Sequence, residues 1–313
     1  MNPRPRAPWP SANILRGETA RAANFSLDGY GRNTNPNLAA KDIIYYSDVT
    51  ACGTSTAISL PCMFSDDDRV HFSRKAAAKK ENLLDLIAQV GLDVSWLDNN
   101  SGCKGVCART PQVSVEYDPE TCSNQRCFDL AMLPVLDTPV NTDRVIVMHQ
   151  QGSHGPSYYK QIPEDMAFFS PSCETSQLQD CSREQIINAY DNTILYTDLF
   201  ISQAIERLEQ LSDRYTTAVI YISDHGESLG EKGIYLHAAP YFIAPTEQIQ
   251  IPMLAWLSNS FSERFAIDRR CLKQAAAMPI SHDNLFSSVL GLLDINSTLY
   301  NPVLDIFRGC TSR

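Results

Sequence analysis

Apolar residues follow two alternating patterns along the chain: short continuous runs, and stretches with a period near 3.6. The runs predict strands at residues 41–49, 92–97, 144–148, 218–223 and 252–257. The periodic stretches predict helices at residues 81–90, ending near Gly91, and at 185–211, followed by a final helix capped by Ser281. Because strands and helices alternate, the sequence predicts a mostly parallel sheet sandwiched by helices.

The composition limits the partners of this predicted α/β fold. The chain has 313 residues, 43% of them hydrophobic, which suits one large domain or two small ones. Its net charge of −10 disfavours nucleic acid as a partner, because phosphate backbones bind surfaces rich in lysine and arginine. A membrane surface remains compatible, since an acidic protein can carry a small basic patch. The sequence contains no run of about 18 apolar residues that could span a bilayer.

The ten cysteines are arranged mostly in close pairs. The pairs are Cys52 with Cys62, Cys103 with Cys107, Cys122 with Cys127, and Cys173 with Cys181, and Cys271 and Cys310 are left as candidates for a fifth bond. This spacing predicts small disulfide-closed loops, which persist in the periplasm or outside the cell. A zinc-ribbon arrangement is the alternative, but the spacings are irregular and no pair has the C-x₂-C form.

Residues 1–10 are rich in proline and arginine and contain no apolar core, so no signal peptide is recognisable. A disulfide-bonded protein nevertheless has to be exported. We therefore expect the chain to be a soluble domain excised from a longer protein, or one whose native start has been replaced.

The strongest chemical signal is the segment ISDHGESL at residues 222–229, which follows the apolar run at 217–221. It predicts a buried strand that delivers Asp224 and His225 to the carboxyl edge of a sheet, where ligand sites lie in open α/β folds. Aspartate and neutral histidine are good zinc ligands. A strand-end turn with a capping aspartate and a surface histidine is the plainer interpretation, but Glu227 and the later His237 favour a metal site.

Two earlier segments offer further groups for such a site. Glu18 is a candidate third ligand, although the apolar run before it, at residues 12–15, is short and is followed by Arg16. Thr56 lies where a predicted turn at residues 52–56 enters a short helix broken at Pro61. A hydroxyl there experiences the helix dipole, and an adjacent zinc ion can lower its pKa enough to make it a nucleophile. Three consecutive hydroxyls, at residues 54–56, leave the choice of nucleophile open.

The other histidines differ in the role that their positions in the sequence predict. His149 and His154 lie just beyond the strand at residues 144–148, which suits a role with substrate or a second metal, and we expect one of them to be structural. His71 lies in a charged loop and is predicted to be a surface residue. His282 follows a helix cap, and both a structural and a functional role remain open for it.

Taken together, these residues resemble the catalytic domain of the lipid A phosphoethanolamine transferases, the polymyxin-resistance enzymes of the alkaline-phosphatase/sulfatase-like superfamily. The resemblance runs from about residue 17 to 306. It rests on the segments GETARAANFSLDGY (17–30), CGTSTAISLPCMFS (52–65), ENLLD (81–85), DNNSGCKGVC (98–107), HQQGSHGP (149–156), NAYDN (188–192), SDHGESLGE (223–231) and YLH (235–237). Their number and order make the resemblance specific.

The resemblance implies a role for each candidate residue. It implies one catalytic zinc ion bound by Glu18, Thr56, Asp224 and His225, with Thr56 as the nucleophile, and leaves a second zinc open. The groups expected near substrate are Asn100, Ser101, Lys104 and Glu227 at the phosphoethanolamine head group, and His154 and His237 at a phosphate or at the second zinc.

The resemblance also implies an activity and a location. Phosphatidylethanolamine would be the donor and lipid A the acceptor, through a covalent phospho-threonine intermediate. The enzyme would act as a monomer at the periplasmic face of the bacterial inner membrane and would confer polymyxin resistance. Alternatives are a sulfatase or phosphodiesterase of the same superfamily, and a phospholipid head-group binding domain that has lost catalysis.

The start of the chain departs from the family pattern. The family's apolar strand before Gly17 is replaced by residues 10–16, which puts the seating of Glu18 in question. The family resemblance implies an N-terminal membrane domain, which we expect this chain to lack. We expect residues 1–16 to be a degenerate or artefactual segment and residues 17–313 to form a single catalytic domain.

Overall fold

The computed structural model of the protein describes residues 9–123, 126–139 and 141–312, with residues 9–16 described by their backbone. Its strands are β1 (Trp9–Gly17), β2 (Ile44–Tyr46), β3 (Val49–Thr50), β4 (Asp93–Asp98), β5 (Gln112–Val113), β6 (Cys122–Ser123), β7 (Arg126–Cys127), β8 (Arg144–His149), β9 (Tyr215–Ser223), β10 (Ser228–Leu229), β11 (Tyr235–Leu236), β12 (Met253–Leu257) and β13 (Ile280–Ser281). Its α-helices are α1 (Thr56–Met63), α2 (Arg74–Ala77), α3 (Leu83–Gln89), α4 (Arg183–Gln210), α5 (Thr246–Ile249), α6 (Asn259–Arg264), α7 (Arg269–Ala275) and α8 (Asp283–Leu292).

Seven strands form the central sheet, in the order β2-β12-β9-β1-β8-β4-β5. The pairings from β9 to β5 are all parallel, and β12 runs antiparallel to both of its neighbours. The carboxyl ends of β1, β4, β8 and β9 therefore meet at one edge of the sheet. This is the mostly parallel α/β sheet that the sequence predicts.

Both faces of the sheet are buried, as its apolar strands require. Along β9, Ala218, Ile220 and Ile222 belong to the apolar core on the side of α1, α3 and α8. Val219 and Tyr221 belong to the core on the side of α4. Successive side chains of a strand point to opposite faces, so one strand supplies both cores and helices cover the sheet on both sides.

The first strand shows the largest difference from the sequence prediction. The expected domain boundary after residue 16 falls within β1, which is paired along its length with β9 and for six residues with β8. The short apolar run is enough because hydrogen bonds from two neighbouring strands hold the backbone. Residues 1–8 of the expected degenerate segment lie outside the described residues.

Two smaller predictions are also corrected. The helix expected to break at Pro61 continues to Met63, since buried Leu60 and Met63 and the Cys52–Cys62 disulfide hold its last turn. The last helix has His282 rather than Ser281 at its N-cap position, while the Ser281 hydroxyl accepts a hydrogen bond from the Asp283 amide.

All ten cysteines are paired. The four predicted local disulfides are present, together with the fifth between Cys271 and Cys310. This pairing rules out the zinc-ribbon alternative. Among the described residues, no helix is both long and apolar enough to cross a membrane.

Candidate functional site

Four predicted residues meet at the carboxyl edge of the sheet. Glu18 follows β1, Asp224 and His225 follow β9, and Thr56 is the first residue of α1. Glu18, Asp224 and His225 are buried and offer ligand atoms that lie within 4.8 Å of one another. We call Glu18, Thr56, Asp224 and His225 the inner cluster.

The Thr56 hydroxyl lies inside this cluster. It donates a hydrogen bond to Glu18 Oε1 at 2.8 Å, and its Oγ1 lies 3.3 Å from His225 Nε2. The two neighbouring hydroxyls are placed differently. Thr54 donates to the Ala239 carbonyl, and Ser55 is the N-cap residue without a side-chain capping bond. The structure thus brings only the third hydroxyl of the triplet to the candidate ligands.

The imidazole of His225 is oriented as a ligand. Its Nδ1 lies 2.9 Å from the carbonyl oxygen of Gly226, which can only accept, so Nδ1 carries the proton and donates. Nε2 then directs its lone pair at the cluster, 3.4 Å from Asp224 Oδ2 and 3.7 Å from Glu18 Oε1. Fixing the tautomer through the distal nitrogen is how proteins orient histidines that bind metals.

The inner cluster fits a metal ion of the zinc type. Its donors are two carboxylates, one imidazole and one hydroxyl, the nitrogen and oxygen ligands that zinc accepts. Atoms about 2.1 Å from one tetrahedral ion lie about 3.4 Å apart, close to the distances between His225 Nε2 and the three oxygen donors. Buried carboxylates are also costly without a cation nearby. The donor set, its spacing and its burial all suit a bound cation.

The loop after β1 is held by backbone contacts on several sides. The Thr19 amide donates to Asp224 Oδ1, and the Thr19 carbonyl accepts from the hydroxyl of Tyr190 on α4. Thr19 has a φ of 57°, an unusual value for a β-branched residue. Such strain persists where surrounding contacts fix the backbone, and it occurs at functional sites. Glu18 is therefore firmly seated, despite the short apolar run before it.

Two glycines permit the close packing around these ligands. A Cβ on Gly152 would lie 2.6 Å from the Glu18 carbonyl oxygen, and Gly152 has a φ of 55°. A Cβ on Gly226 would lie 2.0 Å from the Glu247 carbonyl oxygen. Larger residues at either position would displace the segment that carries a candidate ligand.

His149 and Asp98 extend the inner cluster into the sheet, a role that sequence reasoning missed for Asp98. Buried His149 lies between Asp98 Oδ1, at 2.6 Å, and Glu18 Oε2, at 3.4 Å. Burial raises the pKa of Asp98, but the hydrogen bond and charge of His149 outweigh burial, and the pKa lies below its ordinary value. That one histidine of the His149–His154 pair is structural stays a prediction, and the burial of His149 between two carboxylates favours it for that role. The position of both residues at strand ends was the available signal.

The remaining histidines and Glu227 form a second group beside the inner cluster. The rings of His225 and His237 have centroids 4.5 Å apart, and those of His237 and His154 are 5.5 Å apart. Buried Glu227 accepts hydrogen bonds from His237 Nδ1 at 2.8 Å and from the Tyr158 hydroxyl at 2.6 Å. Burial lowers the pKa of His237, but Glu227, with smaller contributions from Glu18 and Asp224, raises it above its ordinary value.

Asn100, Ser101 and Lys104 form a third group, on the loop after β4. Asn100 donates from its side chain to Glu18 Oε2 at 3.2 Å and to the Gln150 carbonyl at 2.9 Å. Lys104 is exposed, and its Nζ donates to the carbonyl and hydroxyl of Ser101 at 2.8 Å. Asn100 thus contacts the carboxylate of the candidate ligand Glu18, and Lys104 lies at the solvent side of the same loop.

The last two histidines, His71 and His282, lie outside the groups described above, and their contacts indicate what each one does. His71 is exposed and contacts Asp68, as predicted for a surface residue. Buried His282 accepts from the Cys52 amide at Nδ1, 3.0 Å away, and donates from Nε2 to the Ser223 carbonyl, 2.9 Å away. It therefore ties the loop before Thr56 to the strand end before Asp224, which is a structural role.

Comparison with known proteins places this geometry in a family. The sulfatase family model matches residues 14–295. The chain is 46% identical over 303 residues to phosphoethanolamine transferase EptA of Escherichia coli (strain K12), covering 95% of this chain and 55% of that protein. It is 40% identical over 294 residues to phosphatidylethanolamine transferase Mcr-1 of Escherichia coli, covering 90% of this chain and 53% of that protein. The chain spans about half the length of these curated relatives.

A solved structure extends the match over the whole fold. The soluble domain of lipooligosaccharide phosphoethanolamine transferase A from Neisseria meningitidis superposes with a TM-score of 0.93 at 46% identity, covering 99% of this chain and 96% of that one. The chain therefore belongs to the sulfatase family, and over nearly its whole length it is similar to the soluble domain of a phosphoethanolamine transferase.

Proposed function

We propose that the protein transfers phosphoethanolamine from phosphatidylethanolamine to a phosphate of lipid A, with Thr56 as the nucleophile and zinc as its metal. The observation that carries the proposal is the contact of the Thr56 hydroxyl with both Glu18 and His225 at the first residue of α1. The names of the relatives support the donor, phosphatidylethanolamine, and an acceptor of the lipooligosaccharide class.

The contacts of the Thr56 hydroxyl hold this nucleophile in position. Glu18 Oε1 accepts a hydrogen bond from the Thr56 hydroxyl, which sets the direction of the Oγ1 lone pairs. The Cys52–Cys62 disulfide joins the loop before Thr56 to the last turn of α1, which limits movement of the hydroxyl. A zinc ion bound to this cluster would lower the pKa of the hydroxyl and neutralise negative charge on the phosphoryl oxygens.

The reaction then consists of two displacements at phosphorus. Thr56 Oγ1 forms a bond to the phosphorus of phosphatidylethanolamine, the bond to the glycerol oxygen breaks, and diacylglycerol leaves with the proton from the hydroxyl. A phosphate oxygen of lipid A next attacks the phosphoethanolamine-threonine. The bond between phosphorus and the threonine oxygen breaks, and this oxygen regains its proton from the attacking phosphate monoester, which enters as its monoanion. His154 and His237 would bind phosphoryl oxygens, while Asn100, Ser101, Lys104 and Glu227 would line the head-group side.

The product explains the resistance that we propose. The added ethanolammonium group reduces the negative charge of lipid A and weakens its attraction for cationic polymyxins. The five disulfides support an oxidising compartment, and we assign the protein, as a monomer, to the periplasmic face of the inner membrane.

Mass spectrometry of the protein after incubation with phosphatidylethanolamine tests the proposal. We expect a phosphoethanolamine adduct that peptide mapping locates at Thr56 and that disappears when lipid A is added, as modified lipid A forms. Release of free phosphoethanolamine without modified lipid A would favour the hydrolase alternative. Retained head-group affinity without an adduct would favour the binding-domain alternative.

A further inference from the structure

A pocket of about 400 Å³ lies beside the candidate site without including any residue of the inner cluster. Its walls come from three segments that are distant in sequence. These are the end of α1 with Pro61 and Ser65, the stretch from Arg74 to Asn82, and the loop from Lys104 to Arg109. Apart from Lys104, which the proposed function places on the head-group side, the residues that line the pocket have no role in the proposed chemistry.

The pocket is basic in a chain with a net charge of −10. Five of its lining residues are cationic, Arg74, Lys75, Lys80, Lys104 and Arg109, and one is acidic, Glu81. Such a reversal of the overall charge gives the pocket a local attraction for anions.

The five cations differ in what already neutralises them. Lys80 pairs with Asp66 and Asp67, and Arg109 pairs with Asp85. Arg74, Lys75 and Lys104 form no ion pair with a carboxylate in the part of the chain that the structure describes. Three positive charges thus remain to meet an anion that enters.

Two connections relate the pocket to Thr56. Helix α1 begins with Thr56 and reaches the pocket at Pro61, which is about 8 Å along a helix that rises 1.5 Å per residue. Lys104 lines the pocket and also contacts Ser101, whose neighbour Asn100 touches Glu18. A molecule reacting at Thr56 and long enough to cross one sugar ring or two could place a second group in the pocket.

We propose that this pocket binds a phosphate of the acceptor lipid while another phosphate of the same molecule reacts at Thr56. The inference rests on the proposed function and names a second contact for its acceptor, a glycolipid with two phosphomonoesters. Arg74 matches two phosphate oxygens with its planar guanidinium, and Lys75 and Lys104 act as point charges. The site would select acceptors with two phosphates over those with one.

The test compares the double variant Arg74→Gln/Lys75→Gln with the control Lys79→Gln. All three side chains are exposed, so these changes leave the core intact, and Lys79 lies in the same segment without lining the pocket. We expect KM for a bisphosphorylated lipid A to rise about tenfold in the double variant, because two exposed cations that would meet the second phosphate are lost, while water and salt weaken each contact. We expect KM for a monophosphorylated lipid A to stay within twofold, and Lys79→Gln to behave like the parent.

Two outcomes would overturn the proposal: an unchanged KM for the bisphosphorylated acceptor, or an equal rise for both acceptors. Adduct formation at Thr56 from phosphatidylethanolamine, measured on the same preparations, reports the proposed function separately. We expect it to be the same in the parent and both variants.

A second readout needs no transfer activity. Inorganic phosphate titrated into ¹⁵N-labelled protein should shift the amide signals of residues 74–82 in the parent and in Lys79→Gln, but not in the double variant. Amide signals of residues 74–82 that phosphate leaves unmoved in the parent would contradict a phosphate site, whatever the adduct experiment shows.

Discussion

The inner cluster and the loop that carries Asn100, Ser101 and Lys104 belong to one candidate site but are built in opposite ways. Three residues of the inner cluster, Glu18, Asp224 and His225, are buried and directly follow strands of the central sheet, and Thr56 is half-buried at the start of α1. Ser101 and Lys104 are exposed on a loop closed by the Cys103–Cys107 disulfide. The comparison teaches that the sheet positions the candidate metal ligands, while a loop closed by a disulfide carries the candidate contacts to substrate.

The largest effect should come from the nucleophile. Thr56→Ala should abolish both adduct and transfer while leaving zinc bound, because a missing covalent nucleophile removes the reaction path itself. Ser55→Ala is the matched control, since Ser55 precedes Thr56 and makes no side-chain capping bond. Mass spectrometry of both variants with phosphatidylethanolamine provides the readout. An adduct at Thr54 or Ser55 in the Thr56 variant would show that the wrong hydroxyl was chosen.

The second-largest effect should be loss of zinc, and it should distinguish the inner cluster from the exposed loop. Asp224→Ala and His225→Ala should each lose most of the zinc, because each removes a ligand whose orientation the backbone fixes. Lys104→Gln, on the exposed loop, should keep the zinc of the parent protein. Elemental analysis after dialysis measures the ratio of zinc to chain. Equal zinc in all four proteins would remove the metal role from the inner cluster.

The smallest effect should come from the disulfide of the loop. Cys103→Ser/Cys107→Ser should lower transfer about tenfold with unchanged zinc, since displacement of a positioning group by about 1 Å can cost up to about 100-fold. Cys271→Ser/Cys310→Ser is the control. Its bond closes a longer loop, 39 residues against 4 in sequence separation. The control should lose more stability, about 4 against about 2 kcal/mol, yet retain transfer.

Rates and unfolding free energies of these disulfide variants are to be measured at a temperature where both remain folded. If transfer fell in proportion to stability in both variants, the loop would have no positioning role of its own.

Much of the inner cluster could be predicted because its signals are local. The apolar run that ends at Ser223 predicts a strand, and ligand-type side chains follow it at once. The close spacing of cysteines likewise predicted the local disulfides, which depend on short loops.

Other features depend on contacts between distant segments, which one sequence does not display. β1 occupies the centre of the sheet because β8 and β9 pair with it, whereas the pattern of its own residues predicts a strand only weakly. The choice of Thr56 among three hydroxyls depends on where α1 meets Glu18. The link between Asp98 and His149 joins the ends of two strands that are neighbours only in the folded sheet.

The most direct test of the account is anomalous diffraction from crystals of the zinc-loaded protein, recorded above and below the zinc absorption edge. The account predicts a peak enclosed by Glu18 Oε1, Thr56 Oγ1, Asp224 Oδ2 and His225 Nε2, about 2 Å from each. A second, weaker peak near His154 and His237 would be compatible with it. Zinc bound only at His154 and His237, with the inner cluster empty, would contradict the division between a metal-binding inner cluster and an outer substrate region.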